Sequence, residues 1–284
     1  MPYRSSTFSF LWFYFLASAS EASVTTGLDR LTIGDASLAA RWVGPPPAAA
    51  PTIVLLHEGL GSVAQWKDFP ERLAAATRCG VFVYSRAGYG GSSPVRARRA
   101  PTYMHDEALR ILPEVLATIG FQRGILLGHS DGASIATIYA GGIEDPRVRG
   151  LVLIAPHFFV EAVGLEGIKG AKVAYETGDL RPRLARFHGD NVDWVFRSWS
   201  DTWLDPQFRA WDIRDSLTRI RVPIQIVQGV NDQYGTTAQI DVARKHARPP
   251  IDVALIAGAK HAPHFEQREI TERAIVDFIA NALA

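Results

Sequence analysis

The feature that most constrains this fold is a series of short, continuous apolar runs, each bounded by turn-forming residues. The runs cover residues 52–57, 81–85, 124–128, 151–155, 223–229 and 252–257. They lack the apolar–polar alternation of strands with one wet face, so they are typical of parallel strands covered on both faces. Stretches with helical spacing of apolar residues separate them. The pattern predicts an α/β fold with a mostly parallel sheet and right-handed crossovers.

One of the helical stretches contains a proline. Apolar residues recur at helical spacing from Met104 to Ile119, and Pro113 falls inside this stretch. Proline removes a helical hydrogen bond and its ring clashes with the preceding turn. The sequence therefore predicts a helix that is kinked or split near Pro113.

The strand–helix alternation breaks between residues 157 and 220. This segment holds four of the seven tryptophans and no clear parallel-strand run. We expect residues 23–156 and 221–284 to form one α/β core, with residues 157–220 inserted as a helical cap. Because apolar ligand sites are usually lined by aromatic side chains, Trp199 and Trp203 are candidate substrate-binding residues.

The first 22 residues form a separate segment. An apolar stretch at 8–16 follows Arg4 and precedes Ala17-Ser18-Ala19, which resembles a signal peptide. It is too short to span a bilayer, where about 20 apolar residues are needed. A start codon assigned too far upstream explains it equally well. We expect a cytoplasmic protein, with export as the alternative if residues 1–19 are a real signal.

Composition excludes several kinds of partner and site. The formal net charge is +1 and no long run of one sign occurs, so neither nucleic acid nor stable membrane association is expected. The single cysteine, Cys79, rules out an internal disulfide. No Cys/His spacing indicates a metal site. The sequence leaves the oligomeric state open.

The strongest chemical signal is Gly128-His129-Ser130-Asp131-Gly132. This G-x-S-x-G pattern directly follows an apolar strand and directly precedes a helix rich in small residues. A serine on such a sharp strand-to-helix turn is exposed for attack, and the positive end of the helix dipole lies where an oxyanion would form. We therefore interpret Ser130 as a nucleophile.

A serine nucleophile needs a base that a third group orients. Asp232 follows the apolar run 223–229, and His261 follows the run 252–257. Both lie just past strand ends, in the chain order serine, acid, histidine that this type of site uses. His264 is a rival base and Glu161 a rival acid. We favour His261 and Asp232, because His264 more naturally begins the next helix and Glu161 is more naturally a solvated helix cap.

The oxyanion of an acyl-transfer site needs two backbone N–H donors. The residue after the nucleophile, Asp131, offers one. The other should come from the loop His57-Glu58-Gly59-Leu60-Gly61-Ser62, where we assign it to Gly59 with Glu58 as the alternative. A carboxylate beside an oxyanion is unfavourable unless it turns away or is paired, so Glu58 is also a candidate substrate contact.

These segments resemble those of α/β-hydrolases of the esterase and lipase superfamily. The segments H-E-G-L-G-S, S-R-A-G-Y-G-G-S, G-H-S-D-G, Q-G-V-N-D-Q-Y-G and G-A-K-H-A-P-H-F-E occur in the expected order. The resemblance implies a sheet of about eight strands, a cap, no cofactor, and a structural role for Arg86 and the turn after it. The serine at position 130 disfavours the branches that use an aspartate nucleophile, the dehalogenases and epoxide hydrolases.

The leading functional hypothesis is a carboxylic-ester hydrolase for small to medium, partly apolar substrates. A C–C bond hydrolase of ring-cleavage products, an enol-lactonase and a cofactor-free haloperoxidase would share the same triad. A non-catalytic ligand-binding protein on the same fold is a more remote alternative, because such a protein would not need all three triad residues.

Overall fold

The computed structural model describes residues 30–284, in which eight strands form one sheet. The strands are β1 (Arg30–Ile33), β2 (Ala36–Val43), β3 (Thr52–Leu56), β4 (Gly80–Tyr84), β5 (Gly124–His129), β6 (Val148–Ile154), β7 (Ile224–Gly229) and β8 (Ile251–Ile256). The interpretation of residues 1–22 as a signal-like segment lies outside the described residues.

The sheet order is β1-β2-β4-β3-β5-β6-β7-β8. β2 pairs antiparallel with both β1 and β4, and every other pair is parallel. The predicted eight-stranded, mostly parallel α/β sheet is therefore confirmed. Because β3, β5, β7 and β8 run the same way, the loops that follow them meet at one edge of the sheet.

Helices cover both faces of the sheet. The helices are α1 (Phe69–Thr77), α2 (Tyr103–Asp106), α3 (Leu112–Thr118), α4 (Asp131–Gly142), α5 (Ala162–Thr177), α6 (Leu180–His188), α7 (Val192–Leu204), α8 (Arg214–Arg219), α9 (Ala238–His246), α10 (Pro263–Glu266) and α11 (Arg268–Leu283).

The central strand β3 shows why its sequence lacks alternation. Val54 and Leu56 join an apolar cluster that includes α3 and α4, whereas Ile53 and Leu55 join a second cluster that includes α1 and α11. Successive side chains point to opposite faces of a strand, and both faces are covered here. All four side chains are therefore buried and all four are apolar.

The helix around Pro113 is interrupted by an irregular turn and is not cut in two. A π-helical turn, Glu107–Ile111, joins α2 to α3, with right-handed helical backbone angles at both junctions, and Pro113 lies in the first turn of α3. Such irregular turns and prolines are the usual causes of a disturbed helix.

Between β6 and β7 the chain forms α5, α6, α7 and α8, joined in part by short 3₁₀ segments at Gly189–Asn191 and Pro206–Ala210. α5, α6 and α7 pack against one another. α8 instead packs on α4, where the Ser216 backbone lies so close to Gly141 that a Cβ there would overlap it. Within residues 30–284, no helix combines the length and the apolar character needed to cross a bilayer.

Candidate active site

Ser130 occupies a sharp turn between β5 and α4. Its backbone has φ +53° and ψ −117°, a conformation that costs a non-glycine residue about 1–3 kcal/mol and that persists only where the surroundings enforce it. The Ser130 N–H donates to the Ile154 carbonyl at 2.9 Å, and the Ser130 carbonyl accepts from the N–H groups of Ala133 and Ser134 at the start of α4. The fold thus holds this serine in a strained position at the edge of the sheet.

The two glycines that flank Ser130 make the turn possible. A Cβ at Gly128 would overlap the Gly132 carbonyl, and a Cβ at Gly132 would overlap the Leu56 carbonyl on the neighbouring strand. Side chains at either position would therefore push α4 away from the sheet. This steric reason is what the G-x-S-x-G pattern reflects.

Asp232 and His261 form a close pair on the loops after β7 and β8. His261 Nδ1 lies 2.9 Å from both carboxylate oxygens of Asp232, so an Nδ1–H can donate to them. The Tyr234 N–H and the Gln228 side-chain amide also donate to Asp232, at 2.8 and 2.7 Å. Burial alone would raise the pKa of Asp232, but the hydrogen bond and charge of His261 outweigh it and hold that pKa below its ordinary value.

Ser130 and His261 line the same cavity. The Ser130 hydroxyl makes no hydrogen bond within residues 30–284, including to His261. Catalytic hydrogen bonds in ligand-free sites are often long and shorten only when substrate binds. The structure therefore brings Ser130 and His261 to one cavity and places the buried Asp232 against His261. The acid–histidine contact is formed, and the histidine–serine hydrogen bond is not.

His264 and Glu161, the rivals for the base and the acid, have surroundings that differ from those of His261 and Asp232. His264 is buried among Trp66, Phe69 and Phe265, neither of its ring nitrogens has a hydrogen-bond partner, and burial lowers the pKa of its imidazole well below the ordinary value.

Glu161, the rival acid, is the N-cap residue of α5 as expected, but its side chain bonds to protein groups and not to the helix it begins. Its carboxylate accepts hydrogen bonds from the Thr236 N–H and hydroxyl at 3.0 and 2.5 Å and from the Gln239 amide at 2.7 Å. These contacts tie the start of α5 to the loop that follows β7.

Arg86 fixes the loop proposed to carry an oxyanion donor. Its guanidinium, buried at 1% exposure, donates to the carbonyls of His57 at 2.6 Å and Glu58 at 2.9 Å. The Glu58 carbonyl and the Gly59 N–H belong to one planar trans peptide, so they point in opposite directions. By binding the Glu58 carbonyl, Arg86 leaves the Gly59 N–H pointing away from the guanidinium. Arg86 also binds the His57 carbonyl, so the Glu58 N–H points away from it as well.

Asp131 begins α4, where the first N–H groups have no partner within the helix. Its carboxyl is buried and accepts a hydrogen bond from the Tyr103 hydroxyl, which in turn accepts from the Trp203 indole N–H at 3.2 Å. Burial raises the pKa of Asp131. The Asp131 side chain is thus engaged with Tyr103, and its N–H is free to bind an anion.

A cavity of about 610 Å³ opens above these residues. Trp199 lies directly against Gly59, where a Cβ would overlap its indole ring. Helices α5, α6 and α7 contribute eight residues to the cavity wall. Five have large apolar side chains, namely Ile168, Leu184, Phe187, Trp199 and Trp203, and the other three are Gly164, Arg183 and Arg186.

Two polar residues in the cavity were missed by sequence reasoning. The His157 ring lies 5.7 Å from that of His261 and 5.2 Å from that of Trp203, and burial lowers the pKa of His157 to about 3. The Tyr234 ring lies 4.8 Å from that of His261. His157 directly follows the apolar run 151–155, so its place after a strand end was a usable signal. Tyr234 lies two residues past Asp232 and had no comparable signal.

Comparison with known proteins agrees with this architecture. The alpha/beta hydrolase family model matches residues 53–274. Epoxide hydrolase B of Mycobacterium tuberculosis is 31% identical over 49% of this chain, but the match spans only 36% of that protein. Carboxylesterase YbfK of Bacillus subtilis is 22% identical over 84% of this chain and 83% of its own length.

Among solved structures, a bacterial membrane phospholipase A superposes with a TM-score of 0.72 at 19% identity, covering 92% of this chain and 87% of that one. A likeness at this level of identity concerns the fold. The family match establishes more than the fold, because it covers most of the chain, from β3 to α11. This protein therefore belongs to the alpha/beta hydrolase family.

Proposed function

We propose that this protein is a serine hydrolase that cleaves carboxylic esters through an acyl-enzyme on Ser130. The observation that carries the proposal is that His261, paired with the buried Asp232, lines the same cavity as a serine held in a strained turn. Ser130 replaces the carboxylate that an epoxide hydrolase would need as nucleophile, so the likeness to that enzyme supports the fold and not its reaction.

The geometry suggests a division of roles. Ser130 attacks the ester carbonyl while His261 takes its proton through Nε2 and later returns it to the leaving alkoxide. Asp232 holds the Nδ1–H tautomer and stabilises the imidazolium. The N–H groups of Asp131 and Gly59 stabilise the oxyanion, with the Glu58 N–H as the alternative donor. A water molecule then deacylates Ser130 by the same steps.

The substrate class follows from the cavity. Its volume suits a small to medium ligand, and five of the eight residues that α5, α6 and α7 contribute to its wall are large and apolar, beside Arg183 and Arg186. Each methylene moved from water into such a wall gains about 0.8 kcal/mol, or roughly fourfold in specificity. We therefore expect kcat/KM to rise with acyl length until the cavity is full, and we propose that the helices of residues 157–220 act as the cap.

A panel of p-nitrophenyl esters of increasing acyl length, assayed beside a vinylogous diketone, tests this function. Ester turnover that rises and then falls with chain length is the expected result. Turnover of the diketone without that of any ester would instead favour C–C bond hydrolysis. No turnover of either class, together with tight ligand binding, would favour the non-catalytic alternative.

Replacing Trp199 with alanine should shift the optimum towards longer acyl chains, because its indole forms part of the cavity wall beside Gly59. For each additional methylene that the enlarged cavity accepts, kcat/KM should rise about fourfold relative to the wild type. The measurement is the ratio of kcat/KM for decanoate and butyrate esters.

Trp203→Ala is the comparison for stability, and Trp194→Ala is the control for the chain-length ratio. Trp203 also packs on Phe208 and Trp211 and donates to Tyr103, so Trp203→Ala should cost about 3–5 kcal/mol of stability. Trp194 packs on Gly88 outside the cavity, so Trp194→Ala should leave the chain-length ratio unchanged. An unshifted optimum in Trp199→Ala would place the acyl chain elsewhere.

A further inference from the structure

Glu58 is a carboxyl group at a position where a negative charge would oppose catalysis. It directly precedes Gly59 and lines the cavity. Its Oε2 accepts a hydrogen bond from the Leu60 N–H, so the carboxyl is folded against its own loop. Its other oxygen, Oε1, has no hydrogen-bond partner within residues 30–284. One edge of the carboxyl is therefore fixed and the other is available to a ligand.

The buried charges behind the loop balance without Glu58. Arg86 and Arg99 are the cations, and Asp131 and Glu107 are the corresponding acids; all four side chains are nearly buried. Arg86 directs its donors to two backbone carbonyls rather than to the Glu58 carboxyl. An ionised Glu58 would thus be an excess negative charge beside the site where the oxyanion forms.

The surroundings of Glu58 favour its protonated form. Burial is the main reason why the pKa of Glu58 is raised to about 7. The nearby Asp131 acts in the same direction, and the Leu60 N–H, Arg86 and His261 act against it. Tyr234, on the loop after β7, also faces it. A protonated carboxyl whose Oε2 accepts from Leu60 carries its proton on Oε1, the oxygen that a ligand can reach.

The direction of the leaving group assigns this donor to the acyl part of the substrate. His261 must return its proton to the leaving alkoxide, so the alcohol part lies on the histidine side. The acyl part carries the carbonyl oxygen that Gly59 binds, so we infer that this part lies along the loop that carries Gly59 and Glu58.

On the basis of the proposed ester hydrolysis, we propose that Glu58 works as a protonated hydrogen-bond donor to an acceptor oxygen in the acyl group, close to the scissile carbonyl. The preferred substrates are then esters of acids that carry an ether or keto oxygen near the carboxyl group, in place of plain fatty acids. This role makes Glu58 a specificity-determining residue, and it requires the Glu58 carboxyl to be protonated.

An isosteric pair of substrates tests the proposal. p-Nitrophenyl ethoxyacetate and p-nitrophenyl pentanoate differ only by an ether oxygen in place of a methylene. Their kcat/KM ratio, compared between variants at pH 6, cancels the difference in intrinsic reactivity. Glu58→Gln keeps a neutral donor and should retain the ratio, whereas Glu58→Leu should lower it about five- to tenfold, the effect of losing one hydrogen bond.

The pH dependence provides a second signature. In the wild type the ratio should fall as pH rises through about 7, because the ionised carboxyl no longer donates. In Glu58→Gln the ratio should stay flat. Ratios that are equal in the wild type and in Glu58→Leu, at every pH, would overturn the proposal.

Thermal unfolding tests the protonation without relying on turnover. The folded-state pKa of Glu58 lies above its ordinary value of 4.5, so the free energy of unfolding falls as pH rises from 4.5 to about 7. Glu58→Gln removes this loss, and its Tm relative to the wild type should increase from pH 5 to pH 8. Glu166→Gln, on the exposed face of α5, is the matched control and should show no such trend.

The kcat/KM and Tm measurements distinguish a failure of the proposed ester hydrolysis from a failure of the proposed role of Glu58. A wild-type protein that hydrolyses neither ester refutes the proposed function, while the Tm comparison still reports the charge state of Glu58. A Tm difference that is constant from pH 5 to pH 8 shows a carboxyl already ionised in the fold, and it overturns the role of Glu58 even if esters are hydrolysed.

Discussion

Replacing Ser130 with alanine should lower kcat for ester hydrolysis by on the order of 10⁴- to 10⁶-fold, because no other group in the site can form the acyl-enzyme. The fold should persist. The Ser130 hydroxyl makes no hydrogen bond within the described part of the chain, and alanine has the same backbone restrictions as serine. We therefore expect a Tm close to that of the wild type, measured beside kcat on the preferred p-nitrophenyl ester.

A fluorophosphonate probe supplies the control, since it marks an activated serine whatever the preferred substrate. The wild type should gain one label, on Ser130, and Ser130→Ala should gain none. Ser134, on the next turn of α4, donates to the His157 carbonyl, and Ser134→Ala should be labelled like the wild type. Turnover of Ser130→Ala within tenfold of the wild type, or a label on another serine, would refute the assignment.

Backbone strain at Ser130 adds a stability difference between two inactive variants. Glycine adopts φ +53° without a steric cost, whereas alanine keeps the strain that serine has. Ser130→Gly should therefore unfold at a higher temperature than Ser130→Ala, because strain of about 1–3 kcal/mol exceeds the roughly 0.4–1 kcal/mol that the freedom of glycine in the unfolded chain costs.

The sheet and the places of the candidate triad could be predicted because both depend on local sequence. A strand covered on both faces is apolar along most of its length, as in β3 and β5, where Thr52 and His129 at the strand ends are the exceptions. Each candidate residue then follows the carboxyl end of such a strand by a few positions. For parallel strands, this sequence relation is enough to bring Ser130, Asp232 and His261 to one edge of the sheet.

Contacts between distant segments could not be predicted in this way. Arg86 reaches the carbonyl of His57 because β4 lies beside β3 in the sheet, and nothing near Arg86 in sequence specifies that partner. The tryptophans of α7 show the same limit. Trp199 and Trp203 are four residues apart and share a helix face, but only the packing of α7 shows that Trp199 meets Gly59 and Trp203 meets Tyr103.

Replacing Asp232 with asparagine should lower kcat by about 10⁴-fold while leaving the fold intact, because it imposes the wrong tautomer on His261. The N–H groups of Tyr234 and Gly235 both donate to Oδ1, so the asparagine oxygen must occupy that position. Its amide nitrogen then replaces Oδ2 and donates to His261 Nδ1. The imidazole proton moves to Nε2, which can no longer accept the proton of Ser130.

The same replacement leaves the surrounding hydrogen bonds satisfiable. Gln228 now donates to Oδ2 from its amide nitrogen, and its own carbonyl oxygen is buried without a partner among residues 30–284. Rotation of the Gln228 amide would let that oxygen accept from the new asparagine nitrogen, at the cost of the long 3.3 Å hydrogen bond from the Gln228 nitrogen to the Gly235 carbonyl. The Tm of Asp232→Asn should therefore stay near the wild-type value, which separates a tautomer effect from unfolding.

A matched pair of histidine variants completes this test of the triad. His261→Phe removes the proposed base and should reduce kcat by at least as much as Asp232→Asn. His264→Phe places a ring of similar size among aromatic neighbours, where neither histidine nitrogen has a partner, so kcat should stay near wild type. The triad assignment fails if His264→Phe is the inactive variant, or if Asp232→Asn is mild while Glu161→Gln is severe.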